Sequence, residues 1–198
     1  GEVVYWGLLN CYRDSKVNNL VPVGKSYPLL ISEDRIRKLK FEIQRVIEVL
    51  NIKFGGFNLE VMIDEHDRVF LIEMGPRNGG NMIPDLLKII NSVDLIGATI
   101  EAAIGNENFV LNSVSNKGFY ATHNIHSDKN GSFIDVKYKN GIEEKIIKKV
   151  IYKKKGDSVQ YFDSANKAIG ILFLKFDTQE EQTNFVSNTE KWIEVIFE

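Results

Sequence analysis

The chain has 198 residues, 43% of them hydrophobic and 26% charged, which supports a packed core of one large or two small domains and excludes global disorder. A formal net charge of −2 gives no general attraction to nucleic acid or an anionic membrane, and no apolar run approaches the length of a membrane span. The single cysteine, Cys11, cannot form an intrachain disulfide, which suits a reducing cytoplasm.

No signal peptide is visible, and the chain opens on Gly1-Glu2-Val3-Val4-Tyr5 without an initiator Met, as a piece of a longer protein would. Val3 to Leu9 is β-branched and aromatic and reads as a strand. Tyr12 to Val21 is polar and reads as a loop. Val21 to Pro28 is extended or turning, because Pro22 and Pro28 disfavour helix in the residues before them. Ser32 can cap a helix whose first turn holds Glu33 and Asp34. Ile36, Leu39, Ile43, Val46, Ile47 and Leu50 recur at helical spacing and define its buried face. Asn51 stops it, and Gly55-Gly56 breaks the chain.

Phe57 to Met74 then reads as two strands around the polar turn Asp64-Glu65-His66-Asp67, each strand carrying one carboxylate in an apolar run. A four-residue loop, Glu65 to Arg68, sets Ile63 opposite Phe70, Val61 opposite Ile72 and Glu60 opposite Glu73. Directly opposed residues have Cβ atoms roughly 4.5–5.5 Å apart, and like charges there are destabilising. A cation between the two carboxylates relieves that repulsion, and Mg²⁺ prefers such oxygens together with phosphate and water. By alternation Asn58, Glu60 and Met62 share a face with Leu71 and Glu73; Leu59, Val61, Ile63, Phe70, Ile72 and Met74 form an apolar face for the preceding helix. The mixed face suits a nucleotide, with Met62 and Leu71 under its base and the acids holding a phosphate-bound metal. Gly75-Pro76-Arg77-Asn78-Gly79-Gly80-Asn81 follows as a glycine-rich loop whose backbone N–H groups can bind anionic oxygens, and Arg77 can clamp a carboxylate or phosphate.

Met82 to Ile90 reads as a short helix with Pro84 near its start. Ser92 or Asn91 caps a second, Asp94 to Ile104, ended by Gly105. Phe119–Ile125, Ser132–Tyr138, Ile146–Tyr152 and Ala168–Phe176 read as strands, with a turn at Lys139-Asn140-Gly141. Thr178 and Glu181 match a capping box opening a helix toward Asn188, and Trp192 to Phe197 is a last strand. Helices alternating with mostly antiparallel strands give an α+β fold: an antiparallel sheet with packed helices over residues 1–105, plus a smaller C-terminal α+β lobe over 106–198.

The pattern Asn58-Leu59-Glu60, then Leu71-Ile72-Glu73-Met74-Gly75-Pro76-Arg77, then Gly79-Gly80, resembles the ATP-grasp superfamily, in particular its carboxylate–amine ligase and carbamoyl-phosphate-synthase-like branch. The resemblance covers residues 1–105 as the second half of a grasp domain and the remainder only by position. It implies ATP and Mg²⁺ (or Mn²⁺) as cofactors, with Glu60 and Glu73 as metal ligands. It also implies Met62 at the adenine, and Arg77 as the catalytic residue that binds substrate and stabilises an acyl phosphate. Many members carry Asn two residues after the second acid; this chain has Gly75, and Asn78 or Asn81 could compensate. The partners implied are a small-molecule carboxylate, an amine and the N-terminal half of the grasp domain. A non-catalytic nucleotide-binding or interaction module, and a metal-dependent phosphotransfer enzyme of another fold, are the alternatives.

The other chemically suggestive residues have plainer readings. His123 and His126, three apart on one strand, point to opposite faces and make no joint site; His66 lies in a turn. Cys11 reads as a small buried residue without a basic partner. Lys148, Lys149, Lys153, Lys154 and Lys155 read as the solvated edge of a strand, since lysines protect edges from aggregation.

Overall fold

The computed structural model describes residues 1–106, 109–114 and 117–198. In chain order the strands and helices are β1 (Asn10–Asp14), β2 (Asn18–Tyr27), α1 (Glu33–Val49), β3 (Asn58–Ile63), β4 (Val69–Gly75), α2 (Ile83–Asn91), α3 (Leu95–Ala103), β5 (Phe119–Ile125), β6 (Gly131–Tyr138), β7 (Ile146–Ile151), β8 (Ser158–Val159), β9 (Gly170–Phe176), α4 (Gln179–Ser187) and β10 (Ile193–Phe197). Every strand pair is antiparallel, and the fold is α+β. No helix among the described residues is long and apolar enough to cross a membrane.

Contacts divide the chain into two compact units, one of residues 1–7 and 30–116, the other of residues 8–29 and 117–198. The units interleave in sequence. The physical reason is strand pairing: β2 ladders with β5, Gly24 opposite His123 through Tyr27 opposite Tyr120, which carries the early hairpin into the later unit.

In the first unit Ser32 caps α1, its hydroxyl accepting from the Arg35 N–H, and the helix buries Leu39, Ile43 and Ile47 on the expected stripe. β3 and β4 form a two-stranded sheet with α1 against β4. α2 buries Pro84, Leu86, Leu87 and Ile90. Asp94, rather than Ser92 or Asn91, caps α3, its carboxylate accepting from the Gly97 N–H. The expected strand from Val3 to Leu9 does not form. The Val3 N–H donates to Gln44 Oε1, the Asn91 amide donates to the Tyr5 hydroxyl, and Lys40 stands over the Trp6 ring. This stretch is therefore held by helix side chains, and composition alone does not separate such packing from a ladder.

The second unit contains a five-stranded sheet in the order β1-β2-β5-β9-β7 and a three-stranded sheet in the order β10-β6-β8. Its main core joins Ala121, Ile125, Phe133, Ile169, Leu172, Leu174, Phe176 and Phe185. α4 opens as expected: Thr178 Oγ1 accepts from the Glu181 N–H, and the Glu181 carboxylate reaches back to the Asp177 N–H. Buried Gln182 ties α4 to the sheet by donating to the carbonyls of Tyr27 and Tyr120. Tyr12 to Val21 is a hairpin rather than a loop. Its turn closes where the Val17 N–H donates to the Asp14 carbonyl and the Lys16 N–H to Asp14 Oδ1. The lysine-rich β7 is an edge strand, with Lys148 over Phe173 and Lys149 over Tyr138.

Candidate functional site

The β3–β4 hairpin sets Glu60 directly opposite Glu73, with Leu59 opposite Met74 and Asn58 opposite Gly75. Beyond the acids the register shifts. Val61 faces Leu71, Met62 faces Phe70 and Ile63 faces Val69, so Ile72 is an extra, bulged residue. The turn is also one residue shorter than a Glu65–Arg68 loop. The Asp64 N–H donates to the Arg68 carbonyl, and Asp67 takes the left-handed conformation, φ 58°, that three-residue hairpin loops require. A shorter loop and a bulge cancel, and the Glu60–Glu73 pair is preserved.

Asp64 organises the turn by accepting from the His66 and Arg68 N–H groups and from the Arg68 guanidinium. These bonds hold its carboxyl below the ordinary aspartate range, the Arg68 backbone N–H contributing most. Arg35 of α1 pairs with Asp67 at 2.5 Å and anchors the turn to the helix.

The bulge redistributes the apolar residues. Leu71 lies across from Val61, on the face away from Glu60, so the register removes it from the floor beside Met62. Phe70 takes that place opposite Met62. Phe70 and Ile72 are 42% and 55% exposed rather than packed under α1, and Met62 is 57% exposed. The acid face thus presents Asn58, Glu60, Met62, Phe70 and Glu73. Alternation alone does not reveal a bulge, and so does not place Phe70 on this face.

The loop after β4 is tied down at several points. The Arg77 N–H donates to the Gly75 carbonyl, and Arg77 Nη1 donates to the Asn78 carbonyl at 2.9 Å, using one of the five donors of an exposed guanidinium. The Asn78 amide donates to the Leu95 carbonyl and to Thr99 Oγ1, pinning the loop to α3. That makes Asn78 a structural residue, a role its place in the sequence did not signal. A Cβ on Gly79 would lie 2.9 Å from Asn58 Oδ1 and 2.7 Å from Ile83 Cδ1, whereas one on Gly80 would meet nothing within 4 Å. Gly79 is closely packed against the Ile83 and Asn58 side chains, and Gly80 faces open space.

No family model matches the chain. Among curated proteins, an uncharacterized protein of Sinorhizobium fredii, y4rH, is 32% identical over 82 residues, 41% of this chain and 17% of that protein. Solved structures match far more of it. Phosphoribosylglycinamide synthetase from Anaerococcus prevotii superimposes with a TM-score of 0.70 over 96% of this chain, at 20% identity. L-amino acid ligase from Bacillus licheniformis does so with 0.73 over 89%, at 16% identity. The chain has an ATP-grasp fold. It spans about half the length of these structures, 48% and 44%. A third ATP-grasp neighbour, the biotin carboxylase domain of Hydrogenobacter thermophilus 2-oxoglutarate carboxylase, holds MgADP and bicarbonate and matches with 0.61 over 88% of this chain and 39% of that one, at 16% identity.

Against this fold the acid face fits a metal–nucleotide complex in part. Two opposed carboxylates are a partial oxygen set for Mg²⁺, to be completed by phosphate and water. Among the described residues no group of three or more His, Cys, Asp and Glu side chains is placed to hold a metal alone.

Two further expectations are corrected. His123 and His126 do not point apart: their ring centroids are 5.3 Å from each other, because β5 ends at Ile125 and strand alternation stops there. Cys11 has a basic partner, with Lys25 Nζ 3.0 Å from its sulfur across the β1–β2 ladder.

Proposed function

We propose that this chain is the C-terminal part of an ATP- and Mg²⁺-dependent ligase that activates a carboxylate as an acyl phosphate for attack by an amine or similar nucleophile. The observation that carries the reading is the direct Glu60–Glu73 pairing, followed at once by the Gly75–Gly80 loop, on an ATP-grasp fold. ATP supplies the phosphoryl group, and Mg²⁺ neutralises its charge during transfer. Glu60 and Glu73 hold the metal, which also relieves their mutual repulsion. Met62 and Phe70 form the apolar floor for the base. Arg77 clamps the reacting carboxylate, and the Gly79-Gly80 backbone offers N–H groups to anionic oxygens. The protein's contribution is positioning and charge compensation.

Gly75 replaces the Asn that many grasp enzymes carry, and Asn58, directly across from it, is the amide on that face. If Asn58 does not compensate, the alternative is a module that binds nucleotide without turnover. The partners under this reading are a carboxylate, an amine and the N-terminal grasp half, in a cytoplasmic setting, without nucleic acid or membrane. Under this reading the first compact unit, residues 1–7 and 30–116, takes the place of the second grasp subdomain expected over residues 1–105.

The test is Glu73→Gln in the full-length protein, following Mg²⁺-dependent ADP release from ATP across a panel of acids and amines. Loss of release in the variant supports the ligase; release equal to the parent's contradicts it. Nucleotide binding without release in the parent selects the non-catalytic module.

A further inference from the structure

α3 has the composition of an interior helix and the surroundings of a surface one. Leu95-Ile96-Gly97-Ala98-Thr99-Ile100-Glu101-Ala102-Ala103 carries a single charged side chain, Glu101, yet none of these residues is buried. A helix that is apolar nearly all round normally lies in a core. Ile96, Ile100 and Ile104 recur every four residues and form one stripe, 53%, 56% and 72% exposed. α4, also nine residues long, is built in the usual way: it buries Gln182 and Phe185 and turns Gln179, Glu180, Thr183 and Asn184 to solvent.

The two units differ in the same sense. Among the described residues, most of the large apolar side chains left exposed belong to the first unit, whereas the second, of similar length, exposes Leu20, Ile147, Ile151, Tyr152 and Tyr161. One side of α3 is already committed: the Leu95 carbonyl and the Thr99 hydroxyl accept from the Asn78 amide at 3.2 and 2.8 Å. Positions 96 and 100 lie a third of a turn round from these. A body seated on the isoleucine stripe therefore also steadies the loop that Asn78 pins.

The size of the stripe selects the occupant. From Ile96 to Ile104 it runs about 12 Å along the helix axis. A stable dimer needs about 800 Å² from each partner, more than one such stripe supplies. A segment of the same polypeptide is held nearby at high effective concentration, so a small apolar contact suffices. The chain spans 48% and 44% of the phosphoribosylglycinamide synthetase and L-amino acid ligase structures, so each of those proteins has as much polypeptide again outside the matched part.

We propose that the Ile96-Ile100-Ile104 face of α3 is a docking surface for the N-terminal part of the same polypeptide, which seats an apolar segment on it and thereby fixes the loop that carries Arg77. This rests on the reading of the chain as the C-terminal part of a longer ligase.

The test is carbene footprinting of the unmodified full-length protein, resolved by peptide mapping. The reference is β7, whose Ile147 and Ile151 are 46% and 36% exposed. An open α3 labels more heavily than β7; a docked one should label several-fold less. A diazirine-bearing residue at position 100 then identifies the occupant, and on irradiation it should join α3 to residues N-terminal to Gly1 within one chain, at monomer mass. Labelling of α3 at or above the β7 level overturns the proposal, as does a cross-link to a second copy at dimer mass or to residues 117–198 alone. The footprint is read on the parent protein, so it decides the matter even where the modified protein fails to fold. It is also independent of turnover. A protected α3 with ADP release intact in Glu73→Gln removes the ligase and keeps the docking surface, and an open α3 with release lost in Glu73→Gln does the reverse.

Discussion

Gly79→Ala and Gly80→Ala, one residue apart in the same loop, should behave differently. At Gly79 the added methyl meets Ile83 Cδ1 at 2.7 Å, Asn58 Oδ1 at 2.9 Å and Ile83 Cβ at 3.0 Å. Ile83 Cδ1 is a side-chain tip and can turn away. Asn58 Oδ1 is likewise a side-chain end, but Ile83 Cβ is fixed to α2, so accommodating the methyl needs both side chains to turn and the Ile83 backbone to give by a few tenths of an ångström. Overpacking of this kind costs about 1–3 kcal/mol. At Gly80 nothing lies within 4 Å and no positive φ forbids a side chain. There alanine restricts the unfolded chain and is neutral, or stabilising by about 0.4–1 kcal/mol. Thermal unfolding separates them: for a chain of this size each kcal/mol moves Tm by about 2–4 °C, so Gly79→Ala should fall by several degrees and Gly80→Ala should not. Equal losses in both would refute the steric reasoning. A nucleotide-binding defect in Gly80→Ala at unchanged Tm would place Gly80 against the ligand.

Phe185→Ala empties a fully buried site beside Phe176 and His123 and should cost about 3–5 kcal/mol in denaturant unfolding. Thr178→Ala removes the α4 cap and should cost about 1 kcal/mol, with Thr178→Ser recovering most of it. Asp14 is held below the ordinary carboxylate range, so its contribution is complete above about pH 4 and is lost as pH falls through its folded value. Acid titration of unfolding should therefore show a limb that Asp14→Asn flattens.

What sequence could and could not disclose follows from the range of the forces involved. The caps at Ser32 and Thr178, the stripe Leu39-Ile43-Ile47, and β5 from Phe119 to Ile125 are set by neighbours in the chain and were legible to within a residue. The β1–β2 hairpin was not, because its tip is polar and its partner, β5, lies about a hundred residues away in the ladder that joins Gly24 to His123. In the candidate site simple alternation yields the Glu60–Glu73 pairing only because two departures compensate, a shorter turn and the Ile72 bulge. The same bulge put Phe70 rather than Leu71 on the acid face. The Cys11–Lys25 and Asp14–His126 contacts join β1 to residues 14 and 112 positions away, beyond the reach of local pattern.

Under the proposed function the opposed acids Glu60 and Glu73 bind a metal-bound nucleotide. Calorimetry of ADP binding to the full-length protein, with and without Mg²⁺, in parent and Glu73→Gln forms tests it most directly. The parent should bind in a Mg²⁺-dependent manner, and Glu73→Gln should lose that binding. Mg²⁺-dependent binding that survives unchanged in Glu73→Gln, or none in the full-length parent, would contradict it.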